Sequence, residues 1–192
     1  MTQIFQPDNL CFTADTHFDH NFMVDWRGFS SQDEMNHKLI QNWNGIVQPE
    51  SVIFHLGDVH FAKQNRALEV LLQLNGKIHL IAGNHDKKLK HAIKNVFHSV
   101  HNYLEIDVVQ DSGNKQRIVM SHFPFRSWNR HHYGSWHLHG HCHGNLPSIG
   151  KSMDVGLDPN CMHPITFDYI RNLMNRRDIH TCDHHIRSNH AN

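Results

Sequence analysis

The chain has 192 residues, 39% hydrophobic and 19% charged, a composition that fits one compact globular domain with a sizeable core. Eighteen basic and eighteen acidic residues cancel, so there is no broad basic footprint for extended nucleic acid, and no apolar run is long enough to span a membrane. The anomaly is histidine: 22 residues, more than Lys and Arg together.

"NLCFTAD" reads as a short buried strand ending at Asp15. "SQDEMNHKLIQNWNGIV" reads as a helix, opened by a capping box of Ser31 with Glu34 and striped by Met35, Leu39, Ile40, Trp43, Ile46 and Val47. "SVIFHLGD" is a second strand breaking at Gly57, "NRALEVLLQL" a helix, and "KIHLIAGNHD" a third strand breaking at Gly83. Strand–helix–strand–helix–strand is the pattern of a parallel sheet with crossover helices. In "YLEIDVVQDSGNKQRIVMSH" two β-rich runs meet at an Asp-Ser-Gly-Asn turn, a hairpin signal. "SWHLHGH" and "KSMDVGLD" read as two more strands, and Thr166 can cap a last helix, "FDYIRNLMNRR". The expected fold is an α/β sandwich with one parallel-rich and one antiparallel-rich half.

Asp15 and His17 follow the first strand, Asp58 the second, and Asn84 and His85 the third; His122 ends "RIVMSH", and His141 and His143 end "WHLHG". In an α/β sheet, groups just past the carboxyl ends of strands converge on one crevice. That rim offers two aspartates, one asparagine oxygen and four histidines besides His85, too many donors for one ion and about right for two sharing a carboxylate. Mixed nitrogen and oxygen donors suit Mn, Fe, Zn, Co or Ni rather than Ca. His141 and His143 alternate as on a strand, so both can face the crevice, with Cys142 turned away as a small hydrophobe.

The ordered blocks "DTH" (15–17), "GDV" (57–59), "GNHD" (83–86), "SH" (121–122) and "GHCH" (140–143) resemble the calcineurin-like metallophosphoesterase family over about two thirds of the chain. The resemblance implies an α/β/β/α-type sandwich of two mixed sheets flanked by helices, with a dinuclear metal site at the strand ends. It implies that residues 1–177 form the phosphoesterase domain and leaves 178–192 as a His-rich, flexible tail. Asp15, His17 and His143 would bind one metal ion, Asn84, His122 and His141 a second, and Asp58 both, with Mn the expected activator in vitro. His85 would be the catalytic residue, contacting the phosphate beside Asn84 and assisting the leaving oxygen as a bridging hydroxide attacks. Asp86 would orient a neighbouring imidazole.

The function so implied is hydrolysis of a small phosphate ester, a diester or nucleotide rather than a monoester, in the cytoplasm and away from membranes. The oligomeric state stays open. The cytoplasmic expectation rests on the lack of a basic-then-apolar start and on Cys11, Cys142, Cys161 and Cys182, which form no CxxC pair. "GDV" lacks the Asp-Arg-Gly continuation of the superfamily's protein phosphatases. "GNHD" keeps histidine where the lipid A pathway hydrolases tend to have arginine. Alternatives are a phosphomonoesterase or nuclease of the same fold, a noncatalytic His-rich metal-binding protein, and a degenerate member serving as a binding scaffold.

Arg27 in "DWRGF" and Arg126 in "SHFPFRSW" can each fork onto a phosphate, or instead form a salt bridge or stack on Trp128 or Phe125. His20 and His60 sit beside motif blocks. The lysines of "DKKLKHAIK" read as a solvated helix face rather than a steering patch, and the histidines of the tail as part of a frayed terminus.

Overall fold

Strands buried on both faces need apolar residues at nearly every position rather than at every second one, and the first sheet is written that way. The computed structural model describes residues 2–61, 64–86, 95–110 and 112–180. Its first sheet contains β2 (Leu10–Thr13), β3 (Val52–His55), β4 (Lys77–Ile81), β5 (Ser99–His101) and β10 (Ile165–Thr166), in the order β10-β2-β3-β4-β5. Cys11, Ile53, Ile78 and Leu80 face outward, where Trp43 and Val47 of α2 (Gln32–Ile46) and its C-cap, with Ala67 and Leu71 of α3 (Gln64–Leu71), cover them. Leu10, Phe12, Phe54 and Ile81 face inward, and Phe12 stacks on Phe54 at 5.7 Å.

The second sheet runs β1 (Gln3–Phe5), β6 (Tyr103–Val109), β7 (Lys115–Ser121), β8 (Trp136–His139) and β9 (Ser152–Asp154), in that order. Ile106, Val108, Ile118, Met120, Trp136, Leu138 and Met153 meet the first sheet's inner face in one core. α4 (Phe167–Met174) joins this core through Phe167, Ile170 and Met174. The outer face of the second sheet is half polar. Arg117 of β7 pairs with Glu105 and Asp107 of β6, and the loop from Phe123 to Gly134, with a 3-10 turn at His131–Tyr133, covers the rest through buried Trp128 and His131.

The chain is therefore an α/β sandwich of two five-stranded mixed sheets with flanking helices. The second half is not antiparallel-rich. Each sheet has three parallel pairings and one antiparallel pairing, because only β6–β7 is a hairpin while β8 and β9 return by crossovers. The sequence reading missed β1, β5, β10 and α1 (Asn21–Trp26), all of six residues or fewer, too short to show a period. Ser31 does cap α2, but Glu34 reaches back to the Ser30 N–H, and Ile46 of the proposed stripe is exposed. Thr166 caps α4 by accepting the Tyr169 N–H. Among the described residues no helix is long and apolar enough to cross a membrane. Most of the tail, the run 87–94 and Cys182 lie outside the described residues.

Several of the histidines are core residues. His55 has its Nε2 2.9 Å from the Thr16 hydroxyl and its Nδ1 accepts the Gly57 N–H, and burial pushes its pKa from 6.5 down to about 3. Burial likewise depresses His137 to about 3. Neither takes a proton in the native state until far below the value at which the unfolded chain does, so both oppose folding as pH drops. Stability of the metal-free protein should be flat above about pH 7 and fall between pH 6.5 and 3, the slope from these two approaching about 2.7 kcal/mol per unit. Urea unfolding at pH 7, 5.5 and 4.5 checks this, and a midpoint unchanged across that range would contradict it.

Candidate metal centre

The first donor group grows out of the end of β2. Asp15 and His17 take left-handed backbone angles, with φ of 56° and 49°. Asp58, His141 and His143 do the same at 58°, 71° and 48°. Such angles are uncommon for residues with a side chain and are tolerated best by Asn, Asp and His. So His141 and His143 do not alternate on a strand. β8 ends at His139, and left-handed turns rather than strand parity aim both imidazoles. Cys142 is only partly buried beside them.

Two trios result. Asp15, His17 and His143 offer donor atoms within 4.8 Å of one another, as do Asp58, His122 and His141. The Asn84 Oδ1 lies 3.0 Å from His122 Nε2, which places it with the second trio. The trios share a wall: the His141 N–H donates to Asp15 Oδ2 at 2.7 Å, and the His17 N–H to the Asp58 carbonyl at 3.1 Å. His85 stands at the mouth, its side chain 45% exposed and its Nε2 3.8 Å from Asp58 Oδ2.

The donors fit divalent cations. Asp15 Oδ1 and both ring nitrogens of His17 are buried without a hydrogen-bond partner, whereas nearly all buried polar atoms in folded proteins have one. Burial also pushes the Asp15 carboxyl well up and the His17 imidazole down to about 2, keeping that ring neutral and able to ligate. A cation held between them would satisfy the Asp15 oxygen and the His17 Nε2 that lies 3.9 Å from it. Its identity is open among metals that accept mixed nitrogen and oxygen ligands.

Close approach is built in by glycine. Gly57 has φ +96°, and a Cβ there would fall 2.6 Å from His122 Nδ1. A Cβ on Gly83 would collide with Asp58 Oδ1.

Two expectations are corrected. Arg27 does not face a substrate, since its side chain is fully buried and forks onto Asp158 at 2.8 and 3.0 Å while donating to the Asp15 and Thr16 carbonyls. Among the described residues Asp86 orients no imidazole. It accepts the backbone N–H groups of Asp58, Val59 and Gly83 and so ties two strand-end loops together. Arg126 is exposed on the loop after β7. His20 caps α1 by accepting the Met23 N–H and packs on Phe61 at 3.8 Å, and His60 pairs with Phe18 in an isolated bridge.

Asp158 was missed. Its Oδ2 accepts from His143 Nδ1 at 2.6 Å, which leaves Nε2 of that ring for a cation. Burial pushes the Asp158 carboxyl up, but the His143 and Arg27 hydrogen bonds outweigh it and hold the group below its ordinary range. The signal was present, because "GLD" ends past β9 just as "GDV" ends past β3.

No family model matches the chain. It is 32% identical over 174 residues to the uncharacterized protein MJ1445 of Methanocaldococcus jannaschii, covering 85% of this chain and 89% of that protein. The chain belongs to the family of that archaeal protein. The chain is also 28% identical to the Gene 66 protein of Mycobacterium phage D29, over 87% of this chain and 96% of that protein. Among solved structures, AQ665, a protein of unknown function from Aquifex aeolicus, superposes with a TM-score of 0.66 over 85% of this chain and 98% of its own, at 22% identity, and shares the fold.

Replacing Asp158 by alanine leaves the buried Arg27 guanidinium without its counter-charge, which should lower stability by about 3–5 kcal/mol. Asp168→Ala, which removes an exposed partner of Arg171, should cost under about 1 kcal/mol. Denaturant unfolding of both variants checks the contrast, and equal losses would contradict it.

Proposed function

We propose that this chain is a binuclear-metal-dependent phosphoesterase of the calcineurin-like type, acting on a small phosphate ester, with a diester or nucleotide preferred over a monoester. The observation that carries the reading is the pair of Asp–His–His trios sharing one wall, with Asn84 on the second and His85 beside both. This is the donor set that the motif blocks imply. Asp15, His17 and His143 would hold one divalent cation and Asp58, His122, His141 and Asn84 the other, Asp58 being common to both. Bound there, the cations would supply Lewis acidity, lowering the pKa of a shared water and offsetting charge on the phosphoryl oxygens.

The protein's own groups do the rest. The His85 backbone N–H donates to Asp58 Oδ1 at 3.0 Å, which holds that imidazole over the edge of the second trio. From there it can bind a phosphoryl oxygen and pass a proton to the departing alcohol. Asp86, through its three backbone partners, keeps Asp58 and the "GNHD" loop in register. The metal-storage alternative is disfavoured by burial. His55, His79, His137 and His139 are core residues whose pKa values burial depresses, not surface donors free to collect ions.

The test is hydrolysis of bis- and mono-aryl phosphates with Mn, Ni, Zn and Mg supplied one at a time. Activity should require a divalent cation, and His85→Ala should lower kcat by about 10²–10⁴-fold at unchanged metal content. A variant as fast as the parent, or a metal-loaded protein inert on every ester, would contradict the proposal.

A further inference from the structure

The ligand residue His122 is followed at once by Phe123, Pro124 and Phe125. Large aromatic side chains beside a polar centre are normally tucked away, yet Phe123 is 47% and Phe125 37% exposed. Both line a cleft of about 420 Å³ whose inner end is formed by Asn84, Gly83 and His122 and whose outer part includes Val100 and Asn102. That volume lies in the range of small-molecule sites. Among the described residues no lysine or arginine lines it, and the Asp86 carboxylate at its base is already taken by three backbone N–H groups. The described walls therefore offer two phenylalanine rings and the amide groups of Asn84 and Asn102, a surface for a flat, polar-edged group.

The rings are held in place. Phe123 stands edge-on to His122 and His141, with centroids at 5.0 and 4.6 Å. Phe125 lies parallel to the buried His137, 5.0 Å away and tilted by 4°. The His137 Nε2 accepts the Phe125 N–H at 2.9 Å, so the ring proton sits on Nδ1, 3.1 Å from the Val119 carbonyl. Trp128 packs behind at 5.2 Å. Tyr103 also stacks on Phe125 at 6.2 Å, so His137 and Tyr103 together hold the ring in a preorganised position, which lowers the ordering cost of binding.

We infer that Phe123 and Phe125, braced by His137, form a subsite for a planar aromatic arm of the phosphate ester, a nucleobase or an aryl ring, entering from the side of the second trio. The substrate class rests on the phosphoesterase reading, whereas arene binding by the cleft does not. Base–aromatic stacking corresponds to roughly a five- to hundredfold change in binding.

Two measurements test it. With the metal-loaded protein, kcat/KM for adenosine 5′-monophosphate relative to ribose 5-phosphate should favour the nucleotide at least about fivefold, through KM. Phe125→Ala should collapse that ratio toward one. His137→Ala should reduce it as well, while an aryl monophosphate tells whether a plain ring suffices. With metal-free protein, adenosine and phenol are titrated by NMR, and binding should be lost in Phe125→Ala. If no ester turns over but adenosine binds only the parent, the subsite stands and the enzymatic reading fails. If esters turn over with a ratio near one in both parent and variant and neither probe binds, the subsite is overturned and the enzymatic reading stands.

Discussion

Buried carboxylates accepting backbone N–H groups hold this site together. Asp86 takes the amides of Asp58, Val59 and Gly83, Asp58 that of His85, Asp15 that of His141, and Asp154 those of Gly144 and Gly156. Each bond joins a carboxylate on one strand-end loop to the backbone of its own loop or another. Charge-assisted bonds of this kind are among the stronger ones in proteins, and here they fix five donor residues in left-handed turns that cost about 1–3 kcal/mol each. These bonds set the positions of the loops that carry the donors. Loops free to relax would let Asp15, Asp58 and the imidazoles swing back toward water.

The two trios are braced differently. His143 is steadied by a carboxylate, Asp158, that is itself gripped by Arg27. His122 is steadied by a neutral group, its Nδ1 lying 2.7 Å from the Leu56 carbonyl. Arg27 also donates to the Asp15 and Thr16 carbonyls, so one guanidinium joins α1, the first donor loop and the segment after β9. Its position explains why an arginine beside these trios need not meet a ligand. In a buried setting its five donors are worth more as a loop clamp.

β2, β3, β4 and the candidate donors were legible in the sequence because each strand is a short apolar run followed within a few residues by Asp, Asn or His, after a glycine in β3 and β4. Strand-end convergence brought Asp15, Asp58, Asn84, His122, His141 and His143 to one rim without any knowledge of side-chain geometry. What failed is instructive. His141 and His143 looked like alternate strand positions, but period two cannot be told from two left-handed turns in so short a stretch. The parallel β7–β8 and β8–β9 pairings were hidden because their crossovers contain no α-helix to announce them. Arg27 and Asp158 are 131 residues apart in the chain, and nothing local in either stretch marks them as partners. His137 is a core residue under Phe125, and only its neighbours in the fold show it.

Everything functional depends on two cations lying side by side in these trios. Crystals of the protein soaked in manganese and measured by anomalous scattering address this directly. Two peaks per chain, roughly 3.5–4 Å apart with Asp58 between them, are expected. A single peak, or two peaks too far apart for one carboxylate to reach both, would contradict the dinuclear site.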